Sequence, residues 1–139
     1  MRESSDLRSR IMRAVKGRNT APELLVRSIV HRQGYRFRLH RKDLPGSPDL
    51  AFAGRRKVIF VHGCFWHGHH CKRGARVPKS NTAYWKAKIA RNVARDAGSL
   101  RQLKRAGWGA LIVWECELKN EAKLKIRIDR FFCNKEALR

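Results

Sequence analysis

Eleven residues, Val61-His62-Gly63-Cys64-Phe65-Trp66-His67-Gly68-His69-His70-Cys71, gather four histidines, two cysteines and two large aromatic rings. No other stretch restricts the fold so tightly. Two bulky rings in a short polar segment cannot both pack into a core, so the segment reads as a loop that needs something else to close it. Thiolates and a neutral imidazole at about 2.0 to 2.3 Å are what tetrahedral zinc takes, and a glycine-rich loop can bend tightly enough to supply them. Cys64, His69 and Cys71, with Cys116 arriving from the end of another strand, make three sulfurs and one nitrogen, a set suited to a closed structural site. Spacing leaves alternatives open. His67 or His70 could stand in for His69, and Cys133 for Cys116, and the spacing is not that of a common zinc finger, so buried thiols with surface histidines is the competing reading.

Charge narrows the partner. The 139 residues carry 33 Lys plus Arg against 11 Asp plus Glu, a net charge of +22. A chain so charged repels itself unless a polyanion is its usual company, and nucleic acid is the obvious one. The basic residues are interleaved with Leu, Ile, Val and Trp rather than gathered in a tail, so the charged segments should fold. One domain spanning 1–139 is expected at this length, with a core over 19–133 and an N-terminal arm over 1–18. The start of the chain lacks the basic-then-apolar pattern of a secretion signal, and no stretch approaches the roughly 18 apolar residues of a membrane span. A soluble intracellular protein is expected, in which the four cysteines favour metal over disulfides.

The apolar pattern gives the elements. Thr20-Ala21-Pro22-Glu23 reads as a helix start, with Thr20 as cap, Pro22 in the first turn and Glu23 reaching back, and a helix to about Gln33 follows. A short helix around Leu7 to Val15 precedes it. Tyr35 to Leu39 suits an edge strand. Residues 49–53 and 57–61 read as a hairpin whose second strand is apolar enough to be central. From Asn81 the spacing is helical, with a break expected near Gly98 and a stop at Gly107. Ala110 to Trp114 is a buried strand, and Leu118 to Phe132 a terminal helix with Leu124, Ile128 and Phe131 inward. Strands alternating with long helices predict an α/β sandwich, a central mixed sheet with helices on both faces.

Several side chains could do chemistry. Asp49, after Pro48 at the start of a strand, can hold a hard cation, although Asp after Pro is also ordinary turn chemistry. Glu23, His62, His67 and Asp96 are the other candidates. Phe65 and Trp66 suit a wedge between base pairs, a contact that costs a few kcal/mol of unstacking and bends the duplex onto more protein. Trp85 could join them or line the core.

Taken together these residues resemble the very-short-patch repair (Vsr) DNA mismatch endonucleases. The resemblance rests on Met12-Arg13-Ala14-Val15, Asn19-Thr20-Ala21-Pro22-Glu23, Leu44-Pro45-Gly46-Ser47-Pro48-Asp49, the run from His62 to Cys71, the Trp85 to Asp96 helix, and Leu111-Ile112-Val113-Trp114-Glu115-Cys116, spanning about residues 5 to 132. It implies a restriction-endonuclease-like fold of the PD-(D/E)xK type with a structural zinc site. The implied reaction is a nick in double-stranded DNA 5′ of the thymine of a T·G mismatch, left by deamination of 5-methylcytosine, which starts very-short-patch repair.

The resemblance also implies roles. Asp49 and the Val61 backbone carbonyl would hold magnesium, His67 would act as acid or base, and Glu23 and His62 would support the attacking water and the phosphate. Zinc would sit on Cys64, His69, Cys71 and Cys116. Phe65, Trp66 and Trp85 would intercalate, Arg13, Lys16 and Arg91 would contact DNA, and Asp96 would support the catalytic group. Because His67 lies between Cys64 and His69, closing the zinc loop would fix its direction. Family members are bacterial and cytoplasmic, work at the nucleoid beside a cytosine-5 DNA methyltransferase, and in some cases cooperate with mismatch-repair proteins; a monomer is expected. Three departures stand out: the acidic residue and lysine of the wider nuclease superfamily are missing from the second strand, Val61 replaces a familiar threonine, and Gly68 stands where another histidine is common. A restriction-like endonuclease acting on paired sites, and a zinc-stabilised DNA-binding protein without catalysis, are the competing functions.

Overall fold

The computed structural model describes residues 20–71 and 78–133. Arg13, Lys16, the 1–18 arm and the short helix expected around Leu7 to Val15 lie outside them.

Helix α1 (Ala21–Arg32) begins where the sequence signals it. The Thr20 hydroxyl accepts from the Glu23 amide at 3.4 Å, and Pro22 occupies the first turn. Glu23 does not reach back to complete a capping box; its carboxylate turns inward to Arg27 and His40. Four strands follow in spatial order β1 (Arg38–Leu39), β2 (Leu50–Phe52), β3 (Lys57–His62) and β4 (Gly109–Trp114). The first three pair antiparallel, while β4 runs parallel to β3. A parallel neighbour requires a long crossover, and α2 (Thr82–Arg105) lies within it. The edge strand is only two residues long, shorter than the expected Tyr35 to Leu39, because β2 offers it a ladder at Leu50 and Ala51 alone.

Period-two alternation sends the sheet's side chains into two cores. Leu50, Phe52, Ile59, Leu111 and Val113 face Val26, Ile29 and Val30 of α1 and Leu124, Ile128 and Phe132 of α3 (Glu121–Cys133). Ala51, Val58 and Phe60 face the other way, onto Leu103, with Leu100 and Trp108 packed beside them. Helices thus cover both faces of a mixed sheet.

Two boundaries differ from the sequence reading. Helix α2 runs unbroken through Gly98, since one helical glycine costs only about 1 kcal/mol against twenty-four residues of continuous helix. Helix α3 starts at Glu121, not Leu118. The Glu117 carboxylate accepts from the Trp114 amide at 2.9 Å and from Arg127 at 2.6 Å, which holds Glu115–Lys119 in a 3₁₀ turn, and Asn120 then caps the helix by accepting from the Lys123 amide. Leu124, Ile128 and Phe132 follow at i, i+4 spacing, so Phe132 rather than Phe131 is the deeper ring. Lys57 is 2% exposed, and its Nζ donates to the carbonyls of Phe131 and Phe132 at 2.6 and 3.0 Å, closing the C-terminus of α3. Among the described residues no helix is long and apolar enough to cross a membrane.

Candidate active site

The antiparallel hairpin brings two distant motifs together. Asp49 directly precedes β2, and its Oδ2 accepts from the Val61 amide near the end of β3 at 2.7 Å. A strand residue presents its N–H and C=O to the same side, so the Val61 carbonyl faces the Asp49 edge as well. Glu23, 2% exposed in the first turn of α1, comes in from below. Its Oε2 lies 2.9 Å from His40 Nε2 and bonds the Arg27 guanidinium, itself 3.4 Å from the same imidazole nitrogen. One donor atom from each of Glu23, His40 and Asp49 lies within 4.8 Å of the others. Burial pushes the Asp49 carboxyl up to about 7, and Glu23 adds to the rise, while the Val61 amide and Arg27 oppose it. Two carboxylates and an imidazole so placed could hold a divalent cation, and the Arg27 guanidinium already bonds one of the carboxylates.

A second cluster forms where the histidine loop meets α2. His67 Nδ1 lies 2.6 Å from Asp96 Oδ2, and the Asn92 side-chain amide donates to the Trp66 carbonyl at 2.9 Å. Positions 92 and 96 are one turn apart, so a single helix face grips the loop at two successive residues. Gly68 completes the docking: its backbone has φ +63°, and a Cβ there would come within 2.9 Å of Val93 Cγ2. The His67 ring stacks on His62 with centroids 3.7 Å apart and planes 6° from parallel. Burial, reinforced by His67, drives the His62 imidazole down to about 4, so this ring is neutral at pH 7. Its Nδ1 is buried without a hydrogen-bond partner among the described residues.

The same loop assembles the sulfur cluster. Donor atoms of Cys64, His69, Cys71 and Cys116 all lie within 4.8 Å of one another. Cys116 Sγ is 3.6 Å from His69 Nδ1; bonds of about 2.3 Å to sulfur and about 2.05 Å to nitrogen at a tetrahedral angle would place those atoms about 3.6 Å apart. The donor set and this spacing therefore fit zinc. Burial, with the neighbouring Cys71 and Cys116 thiols adding to it and a backbone hydrogen bond from Cys116 opposing, raises the Cys64 thiol to about 12, and a bound cation is what would favour its thiolate. The alternatives left open by spacing fall elsewhere: His67 engages Asp96, His70 is exposed, and Cys133 is exposed at the end of α3.

Phe65, Trp66 and Trp85 form a cluster with centroids 5.1, 5.6 and 5.6 Å apart, only partly buried. Trp85 is thus on the aromatic cluster and not in either core. Lys88 Nζ lies 5.5 Å from the Trp66 ring and 5.8 Å from that of Trp85, a cation laid over the aromatic faces. Glu23, Asp49, His62, His67 and Asp96 line one cleft of about 1160 Å³, with Phe65 and Trp66 at its wall. Arg91 is exposed on α2, outside the lining. His40, Arg27, Lys88 and Asn92 escaped the sequence reading. Arg27 sits at i+4 from Glu23, and Lys88 and Asn92 at i+3 and i+7 from Trp85, so helical spacing could have flagged all three; His40 carried no such signal.

The DNA mismatch endonuclease Vsr family model matches residues 3–73. The type II nicking enzyme V.XorIIP of Xanthomonas oryzae pv. oryzae is 51% identical over 127 residues, covering 91% of this chain and 93% of that protein. The DNA mismatch endonuclease Vsr of Escherichia coli K12 is 42% identical over 135 residues, covering 94% of this chain and 86% of its own length. Among solved structures, the catalytic domain of homing endonuclease I-Bth0305I superposes with a TM-score of 0.59 at 21% identity, covering 83% of this chain and 96% of that domain. That likeness concerns fold and agrees with a mixed sheet of the restriction-endonuclease type. A matching family model, close relatives over most of their length, and a nuclease fold converge on one conclusion: this chain belongs to the Vsr family of DNA mismatch endonucleases.

Proposed function

We propose that the chain nicks duplex DNA 5′ of the thymine in a T·G mismatch, using one magnesium-binding cluster and one histidine–aspartate pair, with zinc holding the loop that carries the histidine. The observation that carries this reading is the single cleft in which Asp49 and Glu23 meet His62 and His67 beside a partly exposed aromatic cluster. Asp49 and the Val61 carbonyl would hold magnesium, which when bound stabilises negative charge on the phosphate and promotes attack by water.

The protein's own groups supply the rest. Asp96 fixes His67 by accepting from Nδ1–H, leaving Nε2 to exchange a proton with the attacking water or the departing oxygen. His62, neutral and stacked flat on His67, holds that ring in plane and presents an imidazole to the phosphate without adding charge. Phe65, Trp66 and Trp85 fill a gap opened in the base stack, which a mispaired step yields at lower cost than a paired one. Lys88 and the surrounding basic residues bind the phosphate backbone.

The test is nicking of T·G and fully paired duplexes by wild type and Asp49→Ala in magnesium. Wild type should cut the T·G duplex only, and Asp49→Ala should bind it with similar affinity and not cut. Nicking by Asp49→Ala sinks the assigned centre; equal rates on both duplexes would point to a restriction-like activity.

A further inference from the structure

The cluster at Asp49 contains a nitrogen donor. We propose that His40 is a ligand of the active-site metal, so that this chain binds its cation through two carboxylates and an imidazole and prefers manganese(II) to magnesium. The inference rests on the metal-binding role proposed above for Asp49.

Three observations carry it. His40 Nε2 is 2.9 Å from Glu23 Oε2, a hydrogen-bond distance that two donors on one cation would also show, and it joins Asp49 in a donor group within 4.8 Å. The backbone of His40 is built for this place: its amide donates to the Asp49 carbonyl at 3.1 Å, extending the β1–β2 ladder by one residue, and its φ is +50°. A non-glycine residue held in the left-handed region costs of order 1 kcal/mol and persists where surrounding structure demands it, often at a functional site. The imidazole is only 15% exposed, so the ring is held against the cluster and not out in solvent.

Donor chemistry sets the preference. Magnesium asks for an octahedron of oxygens and keeps several waters, while imidazole raises affinity for later divalent ions along the series that starts at manganese. Replacing one oxygen donor by nitrogen thus costs magnesium more than manganese. Arg27 opposes any cation here, since its guanidinium bonds the same Glu23 oxygen; with both carboxylates ionised, two negative charges against one guanidinium leave the cluster one net negative charge.

The test uses the full-length zinc-loaded protein and manganese(II) alone as probe. Binding is read by loss of the free-ion electron paramagnetic resonance signal, and nitrogen ligation by electron spin-echo modulation of the bound ion. Wild type should bind manganese with nitrogen modulation. His40→Gln, whose melting temperature serves as the folding control, should lose the modulation and bind manganese about tenfold more weakly, with magnesium competition changed by less than about threefold. Arg27→Met should tighten both ions. Manganese binding that Asp49→Asn abolishes but that shows no nitrogen modulation overturns the His40 assignment and leaves the Asp49 site standing. Modulation lost in His62→Gln and kept in His40→Gln also overturns it. Binding insensitive to Asp49→Asn removes the metal reading of Asp49, and the inference with it.

Discussion

Gly68→Ala should cost this protein both stability and rate, for a reason that can be worked out atom by atom. The backbone at Gly68 has φ +63°, and an added Cβ would lie 2.9 Å from Val93 Cγ2 and 3.0 Å from Ile89 Cγ2. Holding alanine in the left-handed region costs about 1 kcal/mol. Forcing a methyl group into contacts this short costs about 1–3 kcal/mol. The sum, about 2–4 kcal/mol, should lower the melting temperature by about 6–12 °C for a chain of this size.

The loop can relieve the clash by lifting from α2, and that motion pulls on its neighbours. Trp66 is tied to Asn92 and His67 to Asp96 within the two residues before Gly68. A displacement of about 1 Å at His67 should slow nicking about tenfold to a hundredfold. Circular dichroism melts and single-turnover nicking of a T·G duplex measure the two effects. Val93 is 43% exposed, so Val93→Ala alone should cost little, and added to Gly68→Ala it should recover part of both losses by opening the tighter contact. A Gly68→Ala protein that melts within about 2 °C of wild type, or a double variant with no recovery, would refute the docking argument.

Other perturbations probe the remaining parts. Cys116→Ser should lose bound zinc by mass spectrometry and destabilise the domain by several kcal/mol, since structural metal binding is folding free energy; zinc content equal to wild type would remove Cys116 from the ligand set. Asp96→Asn should keep DNA affinity within about threefold and cut the nicking rate by about a hundredfold or more, because an amide that turns its NH2 toward Nδ1 favours the wrong His67 tautomer and no longer balances an imidazolium; an unchanged rate denies Asp96 that part. Trp66→Ala should weaken binding to a T·G duplex by about 1–3 kcal/mol while affecting paired DNA less, and equal losses on both would show that the ring packs the protein rather than wedging the bases.

The sequence by itself determined the elements and most of the parts. The Thr20 cap, the apolar stripe of α1, the continuous apolar runs of β3 and β4 and the helical spacing of α2 are local patterns, and local patterns survive in one dimension. Charge pointed to nucleic acid for the same reason, because it is additive along the chain. The run from His62 to Cys71 brought Cys64, Cys71 and the aromatic pair together because they sit within eight residues of each other.

Only the tertiary structure decided which of those groups act together. Spacing could not separate His69 from His67 and His70; the position of Asp96 on α2 claims His67, and the turn after β4 delivers Cys116 to His69. Glu23, His40 and Asp49 are 26 residues apart end to end and share a site because β1 and β2 pair antiparallel beneath the start of α1. His40 was invisible in the sequence for that reason: a lone histidine carries no periodicity, and its meaning comes entirely from the carboxylates that the folded chain sets beside it.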